Sequence, residues 1–183
     1  MRLFVAVEVP PLSAEVDWPR PPERHLTLRF LGELPPESVD RLRAAMSRAV
    51  EGMAPFPVRY RSAGLFPEVG PPRVAWVGVE EGARELTELA GRLDRALEEE
   101  GFSREPRPFR PHVTIGRIRD PRERDRFVAL VRSLVDRELG RGRVEEVVLF
   151  ESELRPGGAV HTPRARARLG ASGEHPPVAP TSS

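Results

Sequence analysis

Apolar and polar positions divide the chain into short strands and longer helices, in an order that repeats. Arg2 to Val9 reads as a first strand closed by Pro10-Pro11, and a proline-rich loop follows to residue 22. His25 to Leu31 reads as a second strand, ended by Gly32. Pro35-Pro36-Glu37-Ser38 opens a helix with Val39, Leu42, Met46, Ala49, Val50 and Met53 on helical spacing. Phe56 to Phe66 and Arg73 to Val79 read as two strands around a turn-rich 67–72 segment. A second helix carries Leu86, Leu89, Leu93 and Leu97 on one face, with Gly101 past its end. After the run Pro106 to Pro111 comes a strand from His112 to Ile118, then a third helix from about Pro121 to Leu139. Val144 to Phe150 and Ala159 to Leu169 read as the last strands, and residues 171–183 as a disordered tail.

Each strand that begins with a histidine is followed by a helix and then by a strand pair. This is an internal duplication, with a period far too long for a solenoid. It predicts an α+β fold: two pseudo-symmetric lobes, each an antiparallel sheet with helices on the outside, and a central cleft between them. Residues 1–170 then form a single bilobal domain. A cleft between lobes is a usual place for a site.

The duplication is sharpest in two tetrapeptides, His25-Leu26-Thr27-Leu28 and His112-Val113-Thr114-Ile115. With five Thr in 183 residues, two of four His followed by Thr two places on is roughly a 0.4% coincidence. In a strand, alternate side chains share a face. Each copy therefore offers one imidazole and one hydroxyl on a polar surface, backed by apolar residues. Two such strands together give two imidazoles and two hydroxyls, an inventory suited to acid/base chemistry on a phosphate.

Composition narrows the chemistry further. The chain has no Cys, which removes thiolate, disulfide and zinc-finger readings and fits a reducing cytoplasm. All 29 basic residues are Arg. Without Lys there is no lysyl-adenylate, no Schiff base and no P-loop. A net charge of +1 argues against a generic polyanion binder. No apolar run is long enough for a membrane span, and the N-terminus does not read as a signal peptide.

The residues resemble a known family, the two-histidine phosphoesterases, and most closely the bacterial and archaeal RNA 2′,3′-cyclic phosphodiesterases, historically called 2′-5′ RNA ligases. The resemblance covers roughly residues 1–155. It rests on Arg2 to Val7, on His25-Leu26-Thr27-Leu28-Arg29-Phe30-Leu31-Gly32, on Gly64-Leu65-Phe66-Pro67 and Arg73-Val74-Ala75-Trp76, and above all on Pro108-Phe109-Arg110-Pro111-His112-Val113-Thr114-Ile115-Gly116-Arg117. The stretch from Phe150 to Gly158 is also similar. The chain departs after Gly158, where the family usually has a Tyr and this chain shows Val160-His161, followed by a basic strand.

The resemblance implies hydrolysis of RNA 2′,3′-cyclic phosphate ends to 2′-phosphates, with possible reverse 2′-5′ ligation. It implies His25 as proton donor and His112 as proton acceptor, with the near-symmetric roles open to exchange. Thr27 and Thr114 are expected on the phosphate. So are Arg117, Arg29 and Arg110, each against the plainer reading of a solvated surface charge. By alternation Arg29 shares the His25 face, whereas Arg117 falls on the wrong parity unless a bulge turns it in. Phe4 fits core packing better than base stacking, and His161 reads as a surface residue near the last strand. No cofactor and no metal are expected, and the partners implied are RNA with a 2′,3′-cyclic phosphate terminus or a small cyclic nucleotide, met by a cytoplasmic monomer without membrane contact. Two rival readings remain, a His-ligated metalloenzyme and a non-catalytic nucleotide- or RNA-binding module of the same fold. Neither His motif has a second ligand at metal spacing.

Overall fold

The strands pair antiparallel throughout, in two four-stranded sheets. The computed structural model describes residues 1–156 and 158–170, so the expected tail at 171–183 lies outside the described residues. The elements in chain order are β1 (Arg2–Glu8), β2 (His25–Glu33), α1 (Ser38–Val50), β3 (Phe56–Phe66), β4 (Val74–Val79), α2 (Ala83–Glu99), β5 (His112–Arg117), a 3-10 turn (Pro121–Glu123), α3 (Arg124–Leu134), β6 (Glu138–Val144), β7 (Glu146–Arg155) and β8 (Gly158–Arg168).

One sheet has the order β2-β1-β7-β8 and the other β5-β4-β3-β6. The two histidine strands, β2 and β5, are therefore the corresponding edges of the two sheets. β1 and β4 lie next to them, then β7 and β3, then β8 and β6. The lobes are pseudo-symmetric as the repeat predicts, but they are not successive stretches of chain. The first sheet takes β1 and β2 from the beginning and β7 and β8 from the end, while the second is built from the middle.

Helices α1 and α2 pack together, with α1 against β7 and β8 and α2 against β2, and α3 covers β3. The amphipathic pattern explains this docking. Leu86, Leu89, Leu93 and Leu97 of α2 are all buried, each contributing about 2 kcal/mol of burial. One continuous core unites the inward faces of both sheets with the helices. A smaller cluster of Phe4, Ala6, Val148 and Phe150 covers the opposite face of the first sheet. Phe4 is thus a packed residue with almost no exposure, as its position in an N-terminal strand favours.

The third helix is shorter than its apolar spacing suggests. It ends at Leu134, Asp136 takes a positive φ of 58°, and the chain turns back as β6. Leu139 is a buried strand residue, not a helical one. Strand β6 lacks a strand-like sequence because Gly140 and Gly142 occupy the positions where β-branched residues would stand. The reason is contact: a Cβ on Gly142 would sit 3.1 Å from the Pro10 ring, so the proline-rich loop lies directly on this strand.

Candidate active site

Strand β2 places His25 and Thr27 opposite Glu8 and Ala6 of β1, on the face that carries Phe4 and Phe150. Leu26 points the other way, into the main core. His25 is nearly enclosed. Its ring lies 5.0 Å from Phe4 and 5.0 Å from His161, edge to face in the second case. Its Nε2 stands 3.2 Å from a carboxylate oxygen of Glu23.

Strand β5 repeats the arrangement. His112 and Thr114 lie opposite Gly78 and Trp76 of β4, while Val113 enters the core opposite Val77. Thr114 is buried. The His112 ring meets Phe66 edge-on at 5.2 Å. Its Nδ1 lies 2.7 Å from the Arg110 carbonyl oxygen. A carbonyl only accepts, so Nδ1 carries the proton and donates it. In the neutral imidazole, Nε2 is then the nitrogen left with a lone pair.

Both strands break alternation at the same point. The register steps from Ala6–Thr27 to Val5–Arg29, which leaves Leu28 as an extra residue in β2. It also steps from Trp76–Thr114 to Ala75–Gly116, which leaves Ile115 extra in β5. A bulge exchanges the faces of everything beyond it. In β2 this takes Arg29 off the His25 face that alternation predicts: it pairs with Val5 on the core side, though it still lines the cavity between β2, β5 and α2, and Phe30 takes the site face opposite Phe4. Arg29 is buried there, bonded to Asp94 of α2 and to the Ser103 carbonyl. In β5 the same bulge puts Gly116 on the core side and brings Arg117 opposite Val74, onto the site face.

Two groups that sequence reasoning passed over complete the cluster. Glu23 reaches His25 with one oxygen and, with the other, the Arg117 guanidinium at 3.5 Å. Its backbone N–H donates to the Thr114 carbonyl, which ties the entrance of β2 to β5. Burial works to raise the Glu23 carboxyl. The hydrogen bond from His25 and the charges of His25, Arg117 and His161 outweigh it and hold the carboxyl below its ordinary value. His161 is the second. From β8 it pairs with Ser152 of β7 and turns toward His25 and Phe4. Burial, then the neighbouring His25 charge, holds its imidazole below the usual value, and its Nδ1 is buried without a partner. The sequence signals were there: Glu23 stands two before His25, and His161 follows the Gly158 at which the family pattern is lost.

The remaining candidates are peripheral. Arg110 pairs with exposed Glu68 at 2.8 Å and lies over the Phe66 ring at 5.9 Å, at the rim. The basic last strand is largely neutralised, with Arg164 on Glu151 and Arg166 on Glu8 and Glu146. A cavity of about 580 Å³ runs between β2, β5 and α2. Glu23, Thr27, His112, Thr114 and Arg117 line it together with Phe30 and Phe66, and Arg110 reaches its rim. Where His25 would face this space, the Glu23 carboxylate intervenes. Among the described residues, no cluster of three or more His, Cys, Asp or Glu is arranged to hold a metal ion, and no helix is long and apolar enough to cross a membrane.

Comparison with known proteins agrees with this geometry. Residues 17–155 match the family model of the 2′-5′ RNA ligase superfamily. The chain belongs to that superfamily. An RNA 2′,3′-cyclic phosphodiesterase of Methanothermobacter thermautotrophicus is 36% identical over 157 residues, covering 86% of this chain and 84% of the relative. One from Archaeoglobus fulgidus is 33% identical over 175 residues, covering 88% and 96%. A Thermus thermophilus crystal structure superposes with a TM-score of 0.70 at 32% identity, covering 96% of this chain and all of the other. Escherichia coli LigT complexed with 3′-AMP gives 0.68 at 26% identity, covering 93% and 98%. This chain is a phosphoesterase built on two antiparallel sheets.

Proposed function

We propose that the protein hydrolyses 2′,3′-cyclic phosphate ends of RNA, or small 2′,3′-cyclic nucleotides, to 2′-phosphates. The observation that carries this reading is the unequal wiring of the two imidazoles. His112 has its Nδ1 proton committed to a carbonyl, which makes Nε2 a proton acceptor. His25 has its Nε2 against the Glu23 carboxylate, which only accepts, so this nitrogen carries a proton and is the donor.

In the reaction, a water attacks phosphorus and gives a proton to His112 Nε2. The bond from phosphorus to the 3′ oxygen breaks, and that oxygen takes a proton from His25. The product is a 2′-phosphomonoester and a free 3′ hydroxyl. Thr27 and Thr114 donate hydroxyl hydrogen bonds to the non-bridging oxygens, and Arg117 adds the fixed charge that their developing negative charge calls for. Arg110 at the rim is suited to a neighbouring phosphate of a longer RNA. With a 5′ hydroxyl in place of water, the same attack yields a 2′-5′ linkage and a free 3′ hydroxyl without ATP. None of these steps calls for a metal or cofactor, and the chain works as a cytoplasmic monomer. Relatives named RNA 2′,3′-cyclic phosphodiesterase and the 3′-AMP complex of LigT support the substrate class.

The test is incubation with an RNA ending in 2′,3′-cyclic phosphate, in EDTA and without ATP. The expected product is the 2′-phosphate. A 3′-phosphate would overturn the choice of leaving oxygen, loss of activity in EDTA would overturn the metal-free scheme, and binding without turnover would make the chain a binding module.

A further inference from the structure

Glu23 is unusually placed for a residue that no step of the reaction uses. Its two carboxylate oxygens face the two cationic groups nearest the expected phosphate position, His25 Nε2 at 3.2 Å and Arg117 Nη2 at 3.5 Å. A carboxylate so held has the charge and nearly the oxygen spacing of two non-bridging phosphate oxygens. Glu23 lines the cavity, and His25, the proton donor, does not. The backbone is fixed by its bond to the Thr114 carbonyl, but the side chain is 30% exposed. No other cation contacts its carboxylate among the described residues.

We propose that Glu23 occupies the seat of the substrate phosphate in the free enzyme and is displaced from it on binding. The inference rests on the reading that the phosphate sits between the two histidine strands, and it adds an internal competitor to that site. Between turnovers the Glu23 carboxylate sits between His25 and Arg117. An entering phosphodiester takes over both contacts. A phosphate-free anion of the right size, already attached to the chain, also screens the site from adventitious anions. When a binding-competent state is only a fraction of the population, apparent affinity falls by that fraction.

The experiment measures inorganic phosphate binding by calorimetry for the wild type, Glu23→Gln and Glu105→Gln. Glu105 lines the same cavity but bonds to Arg107, so its variant removes an equal charge without touching His25 or Arg117. Glu23→Gln should bind phosphate about tenfold more tightly, the factor expected if Glu23 holds the seat roughly nine-tenths of the time. Its KM for 2′,3′-cyclic AMP should fall in parallel, while Glu105→Gln changes phosphate affinity much less. Equal effects of the two variants, or unchanged or weaker phosphate binding in Glu23→Gln, would overturn the proposal. Should Glu23→Gln fold poorly, a crystal structure of the wild type with phosphate decides: the carboxylate should have left His25, and finding it still on both cations sinks the idea. Phosphate binding needs no turnover, so this test and that of the cyclic phosphodiesterase activity fail independently.

Discussion

The segments His25 to Phe30 and His112 to Arg117 correspond position for position, down to the extra residue after each threonine. They nevertheless deliver different groups. Beyond the bulge, β2 sends an arginine to the core side and a phenylalanine to the site. At the same two places, β5 sends a glycine to the core side and an arginine to the site. Two residues before each histidine the difference recurs, with Glu23 in one copy and Arg110 in the other. Duplication supplied a symmetric frame of two imidazoles and two hydroxyls. The substitutions around it give one imidazole a carboxylate and the other a carbonyl, and place one arginine where the phosphate is expected. Two identical residues are thus set among different neighbours.

The largest effect expected of breaking this pair is on turnover. His25→Ala and His112→Ala should each lower kcat for a 2′,3′-cyclic nucleotide by about 10² to 10⁴, since each removes one proton-transfer partner. A His112→Ala enzyme with near-normal kcat would show that the pair does not act as donor and acceptor. Next come the two arginines that the bulges send apart. Arg29→Ala takes from Asp94 its buried partner but leaves it Arg104 and the Glu105 N–H, and should cost about 1 to 3 kcal/mol of stability, read by denaturant unfolding, with kcat of the folded enzyme little changed. Arg117→Ala should do the reverse, lowering kcat/KM by about 10-fold or more, equivalent to at least ~1.4 kcal/mol, with unchanged unfolding. If both variants lose stability alike, or both lose activity alike, the division of labour between copies is wrong.

A Cβ at position 116 tests the frame itself. In the structure it would lie 2.2 Å from the Phe127 ring, so Gly116→Ala should destabilise the protein by about 1 to 3 kcal/mol, through overpacking. Differential scanning calorimetry would register this as a lower Tm. The smallest effect is in pH. His161 is held below the value of 6.5 that it has when unfolded, chiefly by burial. At higher pH both states are neutral there and nothing is gained or lost. As pH falls through 6.5 the unfolded chain takes the proton first, so stability declines. Glu23 acts lower down: its contribution is present above 4.5 and disappears as pH drops through its folded value beneath that. His161→Phe should therefore flatten the stability curve just below pH 6.5 and leave the more acidic loss in place. An unaltered curve in that variant would remove His161 as its source.

Much of this was readable in the residues. The first strands and the helices α1 and α2 carry strong apolar periods, and the doubled His-x-Thr marks the site because its repetition is improbable. Three features escaped for different physical reasons. Strand β6 was absorbed into a helix because Gly140 and Gly142 trade a strand-like pattern for contact with the loop at Pro10 to Leu12. The face of Arg29 was misjudged because a bulge is set by the register of the partner strand, which alternation within one strand does not reveal. His161 was placed on the surface because nothing local connects β8 to β2; only the sheet order brings them to one face.

That sheet order has a consequence for how the protein comes into being. Strand β1 is hydrogen-bonded on one side to β2 and on the other to β7, whose residues are made long after it. A growing chain on the ribosome already holds both His-x-Thr motifs when Arg117 emerges, yet it lacks the strands that complete the first lobe. Pairings between distant stretches of sequence also form slowly. Neither half expressed alone is an independent lobe, so the duplication visible in the sequence cannot be cut back into two working pieces. The sheet that carries His25 closes only once β7 has been made.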